Sequence, residues 1–170
     1  NLLFASLRAL VLPYYMNLKA EIERIKDEEE RLRFESFDHA LAERIGFALL
    51  EEARVRSASV AIDIRAFAQQ LFHVAMSGTT PDNDRWIERK SNVVLRFHKS
   101  SLRMGRELAE RGESIEERYF VSPREFSPFG GSFHLRLTNG TVVGAATVSG
   151  LPQEEEHALV VSVLQRFTTG

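Results

Sequence analysis

Two neighbouring side chains near the end of the chain, Glu156 and His157, could bind a metal ion. Carboxylate oxygen and imidazole nitrogen are both ligands of divalent cations in proteins. His157 could ligate a metal or haem iron, with Glu156 or Asp63 beside it, or it could hydrogen-bond a loop carbonyl and orient the turn at residues 149–152. Two more glutamates precede this pair, and acidic groups in the first turn of a helix also offset the helix dipole. Successive helical residues diverge by about 100°, so the whole cluster cannot face one ion.

Three ionisable residues, Asp63, His73 and His134, lie in segments with the alternating pattern of β-strands. Asp63 and His73 alternate with larger apolar residues, which places both on the less apolar face of a sheet. If their two strands pair in register, the carboxylate and the imidazole could meet across the ladder. Such a pair could act as a general base or a proton shuttle, or it could be a cross-strand polar contact without catalysis.

The third candidate group surrounds the only tryptophan, Trp86, and includes Arg89 and Lys90. Lys90 lies one helical turn after Trp86, so its stem can follow the apolar stripe while its amine reaches a pocket. Arg89 or Lys90 could bind a ligand carboxylate such as a haem propionate. The alternative is an ion pair of either base with Asp82 or Asp84.

The composition excludes several kinds of chemistry. The chain of 170 residues has no cysteine, which removes disulfides, thiolate metal sites and cysteine nucleophiles and fits a reducing, cytoplasmic location. A formal charge of −2 argues against a nucleic-acid-binding protein. Gly130 and Gly131 lack the spacing of a phosphate-binding loop, and no serine has the setting of a nucleophile elbow.

The hydrophobic pattern predicts helices, two strands, a long helical stretch, two strands and a final helix. Asn139-Gly140 between two apolar runs is a strong signal for a β-hairpin, and a proline followed by acidic residues predicts the start of the last helix. The expected segments are helices at 2–12, 19–33 and 41–53, strands at 59–65 and 69–76, one or two helices at 86–111, an irregular connection at 113–129, a hairpin at 133–148 and a helix at 152–167. This order predicts an α+β domain with a central antiparallel sheet flanked by helices.

The first 34 residues are predicted to form a helical extension, and residues 35–170 a single domain. The apolar run of residues 2–12 is interrupted by Arg8 and is expected to end near Pro13, so it is too short to span a membrane. We expect this extension to contact the body, a neighbouring subunit or a protein partner.

Five blocks of the sequence, read in order, resemble one known family. The blocks are SFDHALAERIG, VAIDI, LFHVAMSGTTPDNDRWIERKSNVVLRF, GGSF and VGAATVSGLPQEEEH. They are similar to the haem-degrading-domain family of GlcG/HbpS-like proteins, and most of all to its bacterial and fungal branch without an assigned activity. The likeness covers residues 28–167.

The resemblance implies a profilin-like or PAS-like fold and a homo-oligomer, and some distant relatives bind haem or iron. The chain departs from the branch at His134, where proline is expected, and at Glu156, where aspartate is expected. We therefore predict a ligand-binding or protein-interaction module without established catalysis. The alternative is a haem- or metal-binding protein linked to haem degradation.

Overall fold

The structure is a computed structural model that describes the backbone of residues 2–168 and the side chains of residues 16–168. Its helices are α1 (Leu2–Arg31), α2 (His39–Val55), α3 (Pro81–Phe97), α4 (Ser101–Arg111), α5 (Ile115–Tyr119) and α6 (Gln153–Leu164). Its strands are β1 (Arg33–Phe34), β2 (Ala61–Ala66), β3 (Gln69–Ala75), β4 (Ser132–Leu137) and β5 (Val142–Ser149).

The five strands form one sheet in the order β1-β4-β5-β2-β3. All neighbours are antiparallel except β1, which pairs parallel to β4. The predicted α+β class, with a central sheet flanked by helices, is confirmed. The parallel strand was not expected, because two residues are too few to show an alternating pattern.

Both predicted hairpins are present. Asn139 and Gly140 lie in the turn between β4 and β5, where the Gly140 amide donates to the Leu137 carbonyl at 2.9 Å. β2 and β3 pair in the register that places Asp63 opposite His73.

The main core lies between one face of the sheet and the helices α2 and α6. The sheet residues Ile62, Ile64, Phe133 and Leu135 belong to this core and are fully buried. The intervening residues face the other side, where α3 and α4 pack. A second apolar cluster, around Val93 and Met104, joins α3 to α4 and the segment after it.

Three helical features differ from the predictions. The helix expected to end near Pro13 continues as α1, because the φ angle of proline is compatible with a helix even though its nitrogen cannot donate. The helix α3 begins at Pro81, before the predicted start at residue 86, and is capped by Thr80, whose amide donates to the Asn83 side chain. Of the two alternatives for residues 86–111, the structure has two helices, because His98 takes a left-handed conformation between them.

The third difference is α5, which lies in a segment expected to be irregular. A capping box at its start supplies the missing signal: Ser114 accepts from the Glu117 amide, and the Glu117 side chain accepts from the Ser114 amide.

The division of the chain at residue 34 stays a prediction. Leu18, Ile22 and Ile25 on the second half of α1 are buried, and this helix packs on α4. The side chains of the predicted helix at 2–12 lie outside the described residues. No helix within residues 2–168 is long and apolar enough to cross a membrane.

Candidate functional site

A pocket of about 350 Å³ opens between the first turns of α3 and α6. Two aromatic side chains stand at its mouth and a lysine–glutamate pair lies at its floor, so it combines apolar surface with polar groups. Its lining residues are Asp82, Asn83, Trp86, Lys90, Phe129, Ser149, Gly150, Leu151, Gln153 and Glu156. We refer to it below as the Trp86 pocket.

The Lys90 side chain ends in a buried ion pair at the floor of the pocket. Its Nζ lies 2.6 Å from Glu156 Oε2, and it also donates to the carbonyl oxygens of Val148 at 2.7 Å and Gly130 at 3.1 Å. Lys90 is 2% exposed and Glu156 is 3% exposed. Lys90 therefore pairs with Glu156 instead of Asp82 or Asp84, the partners considered from the sequence.

The charges of this pair are compensated locally. Burial lowers the pKa of the Lys90 ammonium, and the neighbouring Glu156 carboxylate opposes that shift. The second oxygen of Glu156 accepts the amides of Gly150 at 2.7 Å and Leu151 at 3.1 Å. Glu156 thus holds the turn before α6, a role that the sequence had suggested for His157.

Gly131 is required for the pair to form. Its φ is +120°, and an added Cβ would lie 2.6 Å from Lys90 Nζ, from Glu156 Oε2 and from the Val148 carbonyl oxygen. Only glycine lets the backbone approach the pair this closely.

Trp86 and Phe129 form the mouth of the pocket. Their rings meet edge to face with centroids 5.8 Å apart, and Trp86 Nε1 donates to Asp82 Oδ2 at 3.0 Å. The Arg89 guanidinium lies 4.6 Å from the Trp86 ring centroid and donates through Nε and Nη2 to the Pro123 carbonyl. These bonds anchor the loop that leads to Phe129. Arg89 is not among the residues that line the pocket.

The predicted register of Asp63 and His73 is correct, but their side chains have other partners. Asp63 accepts from Arg65 Nε at 2.6 Å and from Gln70 at 3.2 Å. His73 Nε2 lies 2.8 Å from Asp84 Oδ1. The two side chains therefore do not form a dyad, and neither lines the Trp86 pocket.

His157 and His134 lie beneath α1, away from the pocket. His157 Nε2 is 3.0 Å from Glu28 Oε2, so the expected bond to a loop carbonyl is not formed. His134 Nε2 is 3.7 Å from Glu29 Oε2, and neither ring nitrogen of His134 has a hydrogen-bond partner within the described side chains. Both histidines contact α1 through consecutive glutamates.

The charge states of this cluster follow from burial and from contacts with α1. Burial lowers the pKa of His134, although the Glu29 carboxylate opposes the shift. Burial alone would raise the pKa of Glu29, but contacts with His134, the Ser100 amide and Arg103 outweigh it and lower the pKa to about 2. His134 is therefore neutral and Glu29 charged near neutral pH.

The side chains of Glu156 and His157 bind different partners, so the predicted metal site is not assembled around them. No group of three or more histidine, aspartate or glutamate side chains in the described part of the chain could hold a metal ion. The sequence reasoning missed Phe129 and Gln153 in the pocket and, away from the pocket, Glu28 and Glu29 beside the two buried histidines. No local signal could have found these residues, because their contacts join distant parts of the chain.

The sheet and its flanking helices define an α+β fold that is shared with the crystal structure of HbpS, at 14% identity and a TM-score of 0.62 over 76% of this chain and 88% of that chain. A family model described as "Haem degrading protein HbpS-like" matches residues 37–165, and the chain belongs to this family.

Individual relatives agree with this assignment. A UPF0303 protein of Edwardsiella ictaluri (strain 93-146) is 45% identical over 152 residues, which cover 89% of this chain and 97% of that protein. The crystal structure of Ybr137w protein is 32% identical, with a TM-score of 0.80 and coverage of 86% of both chains. The PduOC:Heme complex, at 14% identity and a TM-score of 0.63 over 76% of this chain and 92% of the other, shares the fold.

Proposed function

We propose that the protein is a small-molecule-binding domain and that its ligand occupies the Trp86 pocket. The observation that supports this most strongly is the Lys90–Glu156 pair, which is costly to bury and is built into the floor of an open cavity. Apolar pockets of 300–1,000 Å³ with a few fixed polar groups are the usual form of a ligand site. We infer no reaction, because no nucleophile and base meet in this pocket.

Ligand binding at this site can be tested through Trp86, the only tryptophan of the chain. A ligand that stacks on its ring should change the intrinsic fluorescence of the protein. A set of chemically different fragments should produce saturable changes in this fluorescence. Calorimetry should then show that these fragments no longer bind the Trp86→Leu variant, which has no tryptophan to report binding. Phe120→Leu is the matched control, because Phe120 is 92% exposed and lies outside the pocket. Equal binding by both variants would place the site elsewhere.

Haem is the second candidate ligand, suggested by the description of the family and by the PduOC:Heme relative. The buried residues that the sequence suggested as haem ligands are not accessible to haem. His134 and His157 are 0% and 2% exposed, and the three N–H donors of Lys90 are already used. Among the histidines singled out from the sequence, His73 alone has a partly exposed ring, with 31% of the side chain accessible.

A haem titration distinguishes haem ligation by His73 from binding of another small molecule in the Trp86 pocket. If haem binds through His73, a stoichiometric Soret shift should appear in the parent protein and disappear in His73→Ala but not in His134→Ala. A spectrum identical to that of free haem would eliminate ligation by any histidine while leaving the Trp86 pocket available to other ligands.

The assembly and location of the protein are further parts of the proposal. We propose a cytoplasmic homo-oligomer in which the first half of α1 contacts a neighbouring subunit or a protein partner. Light scattering of the full chain and of a variant without residues 1–17 tests this. Loss of the oligomer on deletion would assign the segment to subunit contact, whereas a pull-down weakened at unchanged mass would assign it to a partner. Cell fractionation tests the location.

A further inference from the structure

The class of ligand that fits the Trp86 pocket follows from which of its polar groups are still free to bind. We propose that the pocket takes a neutral, planar ligand that carries a carbonyl acceptor and an N–H or O–H donor, as in an aromatic carboxamide, and that it rejects the matching carboxylate. This inference rests on the proposed binding function and specifies its chemistry.

The one cation in the pocket lining has no capacity left for a ligand. An ammonium group has three N–H donors, and those of Lys90 go to Glu156, Val148 and Gly130. A ligand carboxylate could bind Lys90 only by displacing Glu156, which would leave a buried carboxylate without its counter-ion. Arg89 cannot replace Lys90, because it lies outside the lining and is bound to the Pro123 carbonyl.

Asp82 gives the mouth of the pocket a negative charge. One of its oxygens accepts from Trp86 Nε1, and no cation pairs with it among the described side chains. Because Lys90 and Glu156 neutralise one another, the lining retains the charge of Asp82. A carboxylate ligand would be repelled here, whereas a ligand N–H or O–H could donate to Asp82.

Two side chains of the pocket lining still have hydrogens to donate. Gln153 Oε1 accepts the Gly130 amide at 3.1 Å, and no acceptor in the described structure takes its amide hydrogens. Ser149 Oγ accepts from Asn83 Nδ2 at 3.3 Å, which leaves its hydroxyl hydrogen free to donate. These donors suit a ligand carbonyl.

The aromatic pair determines the shape of the ligand. Trp86 and Phe129 stand nearly perpendicular, at 87°, so a flat ring that stacks on one meets the edge of the other. A planar ring with one amide substituent satisfies the aromatic surface, the acceptor and the donors together.

Benzamide and benzoate test this inference, because they share a ring and differ in the group at issue. Binding is followed by the Trp86 fluorescence of the full-length protein and by saturation-transfer NMR of each probe. Benzamide should bind at least about tenfold more tightly than benzoate, the ratio expected for one lost hydrogen bond. Equal or tighter binding of benzoate overturns the inference.

Two variants locate the effect. Gln153→Glu keeps an acceptor for the Gly130 amide but removes the two N–H donors of the glutamine side chain, so it should weaken benzamide binding several-fold. Asp82→Asn keeps the acceptor for Trp86 and removes the negative charge. It should therefore strengthen benzoate binding and reduce the ratio of benzamide affinity to benzoate affinity. Glu125→Gln, an exposed change outside the pocket, should alter neither. The inference would be overturned if Asp82→Asn left the ratio of the two affinities unchanged and Gln153→Glu left benzamide binding unchanged.

Two outcomes distinguish a wrong ligand class from a wrong binding site. If neither probe binds while other fragments saturate the pocket, the ligand class is wrong and the binding function stands. If no fragment of any class changes the Trp86 signal, both are wrong.

Discussion

Lys90 and Glu156 are the residues on which the candidate site depends most. Each is almost fully buried, and each meets hydrogen-bonding groups from several elements. Removing one partner of such a pair leaves an uncompensated charge in the interior, whereas removing both does not.

Replacing Lys90 by methionine should therefore destabilise the protein by about 3–5 kcal/mol, measured by chemical denaturation. In the double variant Lys90→Met with Glu156→Gln, the glutamine still accepts the Gly150 amide and carries no charge, so about half of the loss should be recovered. Lys26→Met breaks an exposed pair with Glu23 and should cost less than about 1 kcal/mol. Additive losses in the double variant would show that the two side chains are not coupled.

Gly131 offers a second test at the same scale. Alanine at this position would clash with Lys90, Glu156 and the Val148 carbonyl, whereas alanine at Gly140, which also has a positive φ, would meet nothing within 4 Å. The free energy of unfolding should fall further for Gly131→Ala than for Gly140→Ala, by about 1–3 kcal/mol for the steric clash. Similar losses in the two variants would mean that the backbone conformation alone requires glycine.

At the scale of elements, the hairpins and most helices could be predicted from the sequence because their signals are local. The Asn139-Gly140 turn and the alternation through Asp63 and His73 each lie within a few residues. The contact between Lys90 and Glu156 joins residues 66 apart, so no spacing rule reveals it. The same limit explains why the sequence assigned the turn before α6 to His157.

The packing of α1 on the body includes a histidine that is buried in its neutral form. The folded pKa of His134 is lowered by burial, so the unfolded chain takes up this proton at a higher pH than the folded protein does. Stability from this group is complete above the unfolded pKa and is lost as the pH falls towards the folded pKa. The pKa of Glu29 is also lowered in the folded protein, so its contribution is likewise lost as the pH falls, but only between about pH 4.5 and pH 2.

The free energy of unfolding should accordingly fall by up to about 1.4 kcal/mol through His134 between about pH 7.5 and 5.5, the limit set by an unfolded pKa near 6.5. Two charged groups act on His134: Glu29 from α1 and Arg136 from its own strand. Denaturation of His134→Gln at both pH values should show a smaller loss than the parent, while His39→Gln, an exposed change in α2, should behave like the parent. An unchanged loss in His134→Gln would assign the acid sensitivity to another group.

At the scale of the whole molecule, the family and the fold agree, while the chemistry of the site has to be argued from its side chains. Membership of the HbpS-like family places the sheet and helices but does not specify a ligand. The histidines that suggested haem from the sequence are mostly used inside the fold, two of them against α1. At the Trp86 pocket, the Gln153 amide and the Ser149 hydroxyl still have hydrogens to donate.

The most direct test of the binding site is a nitrogen–proton correlation NMR titration of the full chain with a chemically mixed fragment set. We expect saturable shifts of the Trp86 indole N–H together with the amides of Gly150 and Leu151, which line the pocket. Saturable shifts confined to other regions, such as the surroundings of His73, or the absence of any saturable shift, would contradict a binding site at the Trp86 pocket.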